Sequence, residues 1–597
     1  MENDKVLYEQ ALLNTTRILK SYGNEISNEQ YEALSSLIKE FTWIAVTKQK
    51  QPVRRTVFPM PCGTGKTTAI RGFCQAINEL GRPYNIVICA EKIEALCQLN
   101  RDLINDGVPS KKISLIHSKK FDPNLDVEDL DKNYASEPNT DKNDLQQFVL
   151  MSHAKLNSIN KFGYDFRFGH DLLIYDESLI LGEPYLQKLS DITKSLAGYS
   201  GVVDGERYGE YSKEKLFSLW CNEIKEHLVR QDEGVIPSVK LPISYDEAKK
   251  IISNIFNNQD PLLKFLDLHE QGTDMRVLKS EQGMSIVSYK KTIPEYLSDI
   301  IILDASYPIR KLLSYDSTVK SKRLHQVKSY ENVKVYTKSI ASGRYHIMSE
   351  LSNKRKPKIF IETVNLTIKL AKKKEKVLIF THKDALDYLK SMLKKVASKN
   401  EYNRVSFLSW GNETAINKYS DCTAVILAGV IQLPQSCLAG MMIAQADNIN
   451  LEWNEDDLMK INQGEKVHRI YQALNRGQCR KVKNGKALPM KTYIFTYDVD
   501  GLKYFLKKIM HDASFIDYKA ELLDNMITKK EQCSREIISL IRSREESGEI
   551  KTSTANIFKN IGQNYKPDTK ECALNHALNT ELPTWKRENR SIVRTLS

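Results

Sequence analysis

A short loop near residue 60 carries residues whose types and spacing suit the binding of phosphate groups. The residues predicted to contact a nucleotide there are Gly63, Thr64, Gly65, Lys66, Thr67 and Thr68. In loops of this kind, backbone N–H groups at the start of a helix surround the β-phosphate. Lys66 would reach the β- and γ-phosphates, and the Thr67 hydroxyl would hold Mg²⁺.

The segments on either side of the loop support this interpretation. Residues 56–58, Thr-Val-Phe, form a β-branched and aromatic run typical of a buried strand. Ile70, Phe73 and Ile77 recur at helical spacing, and Gly-Arg-Pro at 81–83 ends that helix. Strand, glycine loop and helix is the order that a phosphate-binding loop requires, so a turn without a ligand is the weaker alternative.

An acidic pair follows a second apolar run further along the chain. Residues 172–175 have the pattern of a buried strand, and Asp176 and Glu177 stand at its carboxyl end, where open α/β sheets bind their ligands. Asp176 would hold Mg²⁺ through a water molecule, and Glu177 would orient the attacking water. Acidic pairs of this kind also occur by chance, but this one follows the loop by about 110 residues with strand patterns between.

Length and composition predict several domains and a cytoplasmic protein. The 597 residues exceed what one hydrophobic core normally holds. The net charge of +13 favours a polyanionic partner, although a generally basic soluble protein fits the charge equally well. The ten cysteines match no common zinc spacing, the first ten residues do not have the pattern of a signal peptide, and no apolar run could span a bilayer.

Taken in order, these segments and five others resemble the motifs of the superfamily 2 helicases, the group that contains the DEAD- and DEAH-box enzymes. Residues 60–68 resemble motif I, in which a first position other than glycine followed by proline is frequent, and this accounts for Met60 and Pro61. The other matching segments are 85–99 (motif Ia), 172–178 (II), 300–308 (III), 375–386 (IV), 407–429 (V) and 470–482 (VI).

The resemblance implies further site residues. Gln472, Arg476 and Arg480 of motif VI would form one helical face with four-residue spacing, and such arginines stabilise charge on the transferring γ-phosphoryl group. Arg476 is the stronger candidate, because Asn475 replaces the usual glycine and Arg480 lies one position further along than in the common pattern. A solvated basic helix end is the alternative. Gln30 would read the adenine or would lie on a helix surface.

The resemblance also implies an α/β fold with two RecA-like parallel-sheet domains, an inserted domain and a helical extension. The first domain would comprise 1–185 and 298–330, the insert 186–297, the second domain 331–499 and the basic C-terminal domain 500–597. A hinge is expected near 306–318. In the insert, the aromatic residues would stack on bases or, more simply, pack a core; they are Tyr199, Tyr208, Tyr211 and Trp220.

The predicted function is that of an ATP-dependent helicase or translocase that uses Mg·ATP and holds a nucleic-acid strand mainly through its phosphates. DNA is favoured over RNA, since the motif spellings resemble phage- and plasmid-type enzymes. The alternative is a nucleic-acid-stimulated ATPase without unwinding activity, such as a remodeller or sensor subunit. Basic runs at 353–358 and 371–376 would follow the phosphates or form a solvated face. The C-terminal domain would bind nucleic acid or a protein partner.

Overall fold

The structure is a computed structural model in which the chain divides into two compact units. One unit comprises residues 1–355 and 366–517, and the other 356–365 and 518–597. The described residues are 2–47, 55–126, 133–141, 145–158, 170–200, 212–230, 233–236, 239–255, 261–270, 274–280, 283–293, 297, 299–413, 418–520, 529–561, 565–580, 582 and 585–594. Among them, no helix combines the length and apolarity needed to cross a membrane.

The first sheet of the larger unit is parallel throughout and has the order β13-β1-β12-β7-β2-β6-β3. Its strands are β1 (Arg55–Val57), β2 (Ile86–Ala90), β3 (Ile113–Ile116), β6 (Phe148–Ser152), β7 (Leu172–Asp176), β12 (Ile300–Leu303) and β13 (Val319–Ser321). The helices of this part are α1 (Glu2–Ser21), α2 (Asn28–Thr47), α3 (Lys66–Glu79), α4 (Ile93–Asn105) and α5 (His153–Ser158); a small parallel pair is formed by β4 (Lys120–Phe121) and β5 (Tyr134–Ala135). Strands β2, β6 and β12 are buried along their whole length and consist mainly of apolar residues, as is typical of a parallel sheet with both faces covered.

The second sheet is also parallel and has the order β16-β15-β17-β20-β14-β21. Its strands are β14 (Val333–Lys338), β15 (Val377–Thr381), β16 (Val405–Ser409), β17 (Ala424–Leu427), β20 (Met490–Phe495) and β21 (Ser514–Asp517). Around them lie α10 (Arg344–Ser352), α11 (Lys358–Lys372), α12 (Leu386–Val396), α13 (Lys399–Tyr402), α14 (Gln435–Ala446), α15 (Glu455–Leu474), α16 (Val499–Lys507) and the hairpin β18 (Val482–Lys483) with β19 (Lys486–Ala487).

Between β7 and β12 the chain forms an antiparallel sheet with the order β8-β11-β10-β9. The strands are β8 (Gly182–Lys188), β9 (Gly234–Ile236), β10 (Met275–Ser280) and β11 (Gly283–Lys291), with helices α6 (Leu189–Ser200), α7 (Lys213–Arg230), α8 (Tyr245–Ile255) and α9 (Pro261–Glu270). Tyr199 and Trp220 are buried in the core of this insert, so for these two aromatic residues core packing is the better interpretation. Tyr208 and Tyr211 lie outside the described residues.

The insert docks on helix α14 of the second sheet. The packing is close at Gly440, where an added Cβ would lie 3.0 Å from the Pro184 side chain. The Tyr289 hydroxyl donates to the Asp447 carboxylate at 2.9 Å, and Arg276 donates to the Leu451 carbonyl at 2.9 Å. The insert therefore continues from the first sheet in sequence and packs against the second sheet in space.

The described residues of 529–594 in the smaller unit form three helices and a three-stranded antiparallel sheet; residues 356–365, which include the start of α11, also belong to this unit. The elements are α17 (Lys529–Glu546), β22 (Lys551–Ser553), α18 (Thr554–Asn560), α19 (Pro567–Thr580), β23 (Trp585–Glu588) and β24 (Ser591–Arg594), and the sheet order is β22-β24-β23. Helix α18 begins after Ser553, whose side chain accepts a hydrogen bond from the Asn556 amide. Apolar residues of all three helices form the core of this unit together with Trp585 and Ile592.

The predicted fold class, an α/β protein with two RecA-like parallel-sheet domains, is confirmed. Two details differ from the sequence prediction. Strand β21 lies beyond residue 499 yet pairs with β14, so the second sheet extends into the segment assigned to the C-terminal domain. The segment expected to be a hinge, 306–318, folds into short 3₁₀ turns, and β13 after it still pairs with β1. The chain therefore crosses between the sheets within 322–332.

Candidate nucleotide site between the two parallel sheets

The loop after β1 has the backbone of a phosphate-binding loop. Gly63 and Gly65 adopt φ angles of 82° and 101°, in the left-handed region that glycine reaches without strain. Helix α3 begins at Lys66, directly after Gly65, so its first backbone N–H groups point into the space above the loop. A phosphate placed there would meet these donors and the positive end of the helix dipole.

The side chains of the loop are held by the loop itself. The Lys66 ammonium donates to the Met60 carbonyl at 3.0 Å, and the Thr64 hydroxyl donates to the Pro61 carbonyl at 2.7 Å. The Thr64 side chain is thus directed into the loop, and only the backbone of this residue is available to a ligand. Gln30 is buried and donates to the Thr64 carbonyl at 3.1 Å, so its amide nitrogen supports the loop.

Asp176 and Glu177 lie at the carboxyl end of β7, as the sequence predicts. Burial raises the pKa of Asp176, against the nearby charges of Lys66, Arg480 and Arg476. Burial also raises the pKa of Glu177 well above its usual range, and the Glu91 carboxylate beside it adds to this increase. Glu177 has a φ of 79°, an uncommon conformation for a residue other than glycine.

Motif VI reaches the same place from the second sheet, but not as one helical face. Helix α15 ends at Leu474, and Arg480 lies in a separate 3₁₀ turn, Gln478–Arg480. The prediction that Gln472, Arg476 and Arg480 share a helix face is therefore wrong, because the chain leaves the helix between the first and second of them. Arg476 folds back instead, and its guanidinium donates to the Gln472 carbonyl at 3.3 Å.

A cavity of about 390 Å³ brings the candidate residues together. The predicted residues that line it are Gly63, Gly65, Lys66, Thr67, Thr68, Asp176, Glu177, Gln472, Arg476 and Arg480. Arg476 is almost completely buried, and burial beside Arg480 lowers the pKa of its guanidinium to about 10. A buried cation that faces two carboxylates and a phosphate-binding loop is suited to stabilise negative charge that develops during phosphoryl transfer.

The loop also contacts the second sheet through its own backbone. The Cys62 amide donates to the Tyr471 hydroxyl at 3.4 Å, and the Cys62 carbonyl accepts from the Lys328 ammonium at 2.8 Å. Tyr471 in turn lies 2.9 Å from the hydroxyl of Tyr330, just before β14. The loop, the crossover between the sheets and helix α15 therefore share one buried polar cluster.

A second buried network joins motif II to helix α15. The Ser178 hydroxyl, next to Glu177, donates to one oxygen of Asp304 at 2.6 Å. The other oxygen of Asp304 accepts from the amide and hydroxyl of Ser306, and the Ser306 hydroxyl lies 2.6 Å from the His468 ring nitrogen Nδ1. Side chains that directly follow β7 and β12 are thereby connected by hydrogen bonds to helix α15.

An ion pair and a close helix contact hold the same interface together. The Arg310 guanidinium donates to both carboxylate oxygens of Glu465, at 2.8 and 2.6 Å, and both residues are buried. One residue earlier in α15, a Cβ on Gly464 would lie 2.4 Å from the Ile309 carbonyl oxygen, so only glycine fits there. The two sheets are in tight contact in this conformation.

The residues present suit a magnesium nucleotide. Within the described ranges, no group of three or more His, Cys, Asp or Glu residues could hold a metal ion. Thr67 and Asp176 both line the cavity, and a hydroxyl with one carboxylate, completed by water and phosphate oxygens, is the usual ligand set of Mg²⁺ in nucleotide sites. The metal would therefore arrive with the nucleotide.

The fold and the arrangement of this site resemble those of the superfamily 2 helicases. The match of residues 24–183 to the family model described as "Type III restriction enzyme, res subunit" confirms the resemblance over the segment that contains motifs I, Ia and II. No curated protein sequence matches the chain significantly.

Two solved structures match this chain at low sequence identity and low TM-score. S. cerevisiae Dbp5 bound to RNA and ADP BeF3 is 10% identical, with 84% of this chain and 96% of that chain covered at a TM-score of 0.34. A structure of Mss116p bound to ssRNA and AMP-PNP is 14% identical, with 92% and 89% covered at a TM-score of 0.30.

Several residues of the site are not recognisable from sequence reasoning. Lys328, His468 and the pair Arg310–Glu465 occupy no motif position. In the hydrogen bonds of the site, each of them is separated from its partner by 155 residues or more. Of their hydrogen-bond partners, Cys62 lies in the segment that resembles motif I and Ser306 in the segment that resembles motif III. Asn417, a candidate site residue in the segment 407–429 that resembles motif V, lies outside the described residues.

Proposed function

We propose that this protein hydrolyses Mg·ATP in the cavity between the two sheets and uses the resulting movement to translocate on, or unwind, nucleic acid. The observation that carries the proposal is the composite cavity. Its phosphate-binding loop and acidic pair come from the first sheet, whereas Gln472, Arg476 and Arg480 come from the second. Hydrolysis in a site that both sheets share changes the contacts between the sheets.

Each proposed role follows from chemistry and position. Lys66 would leave the Met60 carbonyl and bind the β- and γ-phosphates, while Thr67 and Asp176 would hold Mg²⁺, which neutralises phosphate charge. Glu177 would orient the attacking water. Arg476 would stabilise charge on the γ-phosphoryl group from the opposite side, with Arg480 beside it.

The nucleic-acid track would run across the edge where strands of both sheets end. Lys92, just after β2, donates to the Gly411 carbonyl, just after β16, at 3.0 Å. This contact bridges the segments that resemble motifs Ia and V on the side of the sheets that also holds the nucleotide site. The basic run 371–376 directly precedes β15 and so lies at the opposite edge, which favours the solvated-face interpretation for that run.

DNA is the proposed substrate. The proposal of DNA rather than RNA is drawn from the description of the matched family model, a restriction-enzyme subunit. Binding would depend mainly on phosphate contacts, would be largely independent of sequence and would weaken steeply with salt.

ATP hydrolysis measured with single- and double-stranded DNA and RNA as separate stimulants tests the proposal. We expect stimulation by DNA, loss of ATP binding in Lys66→Ala, and retained ATP and strand binding with poor turnover in Glu177→Gln. A duplex-unwinding assay on the same samples distinguishes a helicase from an ATPase without unwinding activity. Stimulated hydrolysis without strand separation would identify a translocase or remodeller. Normal turnover by Glu177→Gln would refute the role assigned to this carboxylate.

A further inference from the structure

The smaller unit has the element order and strand pairing of a winged helix. Helix α17 is followed by the short strand β22, the helices α18 and α19, and then the hairpin β23–β24. In the sheet, β24 lies between β22 and β23, and both pairings are antiparallel. Helices α18 and α19 with the short connection between them form a helix–turn–helix, in which the second helix is the one that enters a groove of the nucleic acid.

Helix α19 has one face in the core and a polar face outside it. Ala573, Leu574 and Ala577 are completely buried, in the same core as Ile537 and Ile541 of α17. In between, Asn575 and His576 are exposed to solvent. The exposed positions therefore carry side chains that donate and accept hydrogen bonds, as the reading of base edges requires.

The hairpin β23–β24 adds a basic surface beside this helix. Four of the ten residues 585–594 are Lys or Arg, and only Glu588 is acidic. The hairpin is anchored by Trp585 and Ile592, which are buried in the core. Its tip, Lys586 to Arg590, is exposed.

The hairpin and helix α19 form one continuous surface. The Arg587 guanidinium donates to the Asn575 side chain at 3.2 Å and also pairs with Glu571 of α19. This ion pair neutralises Glu571 of α19. At the tip, Lys586 pairs with the exposed Glu588 at 3.0 Å, an exposed pair that a phosphate could replace, and Arg590 is exposed. A polar helix face bordered by an anchored basic hairpin matches the groove and the phosphates of a duplex.

We propose that this unit is a binding site for double-stranded DNA that acts independently of ATP. Helix α19 would lie in the major groove, and Lys586 and Arg590 would contact the phosphate backbone alongside it. The wide major groove of B-form DNA admits an α-helix, whereas the deep and narrow major groove of an RNA duplex does not. The site would anchor the protein on a duplex while the two parallel sheets act on a strand.

Fluorescence anisotropy of the full-length protein with a labelled DNA duplex, without ATP, tests the inference. We expect Lys586→Ala/Arg590→Ala to bind the duplex about tenfold more weakly, and the slope of log affinity against log salt to fall by about 2, because each lost phosphate contact removes nearly one unit. The matched control is Arg535→Ala/Arg542→Ala, which removes two exposed arginines from helix α17, on the other side of the core.

Two further measurements keep the result decisive. Arg590→Glu, a single change at an exposed turn position, should weaken duplex binding even if the double variant is unstable, and thermal unfolding identifies such instability. Lys66→Ala should keep full duplex binding, so that failure of the ATP site and failure of this site are distinguishable. Unchanged duplex affinity in Arg590→Glu, equal losses in the α17 control, or equal affinity for an RNA duplex would each overturn the proposal.

Discussion

The main-chain carbonyl of Arg480 packs directly on Gly63, so that a Cβ on this glycine would lie 1.7 Å from the carbonyl oxygen. Gly63 is part of the phosphate-binding loop, and Arg480 belongs to motif VI on the other side of the cavity. The loop and the arginine segment are therefore in van der Waals contact through backbone atoms, and the glycine side of this contact has no space for a side chain.

Gly63→Ala should separate the loop from motif VI. The added methyl group would force Arg480 away from the site, and we expect ATP turnover to fall at least tenfold, on the order of the loss when a catalytic group is displaced by about 1 Å. Gly81→Ala is the matched control, because Gly81 also has a positive φ but has no neighbouring atom within 4 Å of its added Cβ. Equal turnover in the two variants would contradict the prediction.

Arg476→Ala should lower kcat by roughly 10³-fold, as expected for an arginine that stabilises the transferring phosphoryl group. Affinity for a fluorescent ATP analogue should change far less. Arg480→Ala should have a smaller effect, because Arg480 is only half-buried whereas Arg476 is enclosed in the cavity wall. The exposed neighbour Lys481 provides the control, and steady-state hydrolysis by Lys481→Ala should match the parent protein.

Arg310→Ala should strongly destabilise the larger unit. It would leave the Glu465 and Asp304 carboxylates buried without their cation, and breaking a buried pair in this way costs about 3–5 kcal/mol. Arg344→Ala, which breaks an exposed pair with Asp384, should leave the thermal midpoint nearly unchanged. If both variants unfolded at the same temperature, the Arg310–Glu465 pair would not hold the interface.

Lys328 should make stability depend on pH above neutrality. Burial lowers the pKa of its ammonium from 10.5 to about 8. Between these two values the unfolded chain binds more protons than the folded protein, so stability rises with pH, by about 1.4 kcal/mol per unit for this group.

The test is the difference in thermal midpoint between the parent protein and Lys328→Met, measured at pH 7.5 and 9.5. The Met variant lacks the titrating group, so the difference should move in favour of the parent protein as the pH rises. A constant difference would show that Lys328 titrates alike in the folded and unfolded states.

Sequence reasoning located the parts of the site that depend on local chemistry. The glycines of the loop, the acidic pair after an apolar strand and the arginines of motif VI all line the cavity, because strand, turn and helix signals fix where each side chain stands relative to its own element. The second parallel sheet was likewise predictable from apolar runs such as 377–381 and 424–427.

What sequence reasoning missed depends on contacts between distant segments. The end of α15 at Leu474 and the burial of Arg476 follow from packing on the loop, and no local pattern encodes them. The sequence gives no sign that Lys328 is buried, because its contacts with Cys62 and Tyr330 are visible only in the structure. The hairpin β23–β24 of the smaller unit was not predicted from the sequence, because its strands are short and rich in charged residues.

The docking of the insert on helix α14 has a mechanical consequence. Strand β8 begins at Gly182, five residues after Glu177, and it is held by the second sheet although its chain emerges from the first. If the sheets separate, either β8 must peel away from α14 or the short segment 178–181 must bend. The insert is thus connected to both sheets through the segment beside Glu177, so we expect the extent to which the two sheets can separate to depend on the position of Glu177.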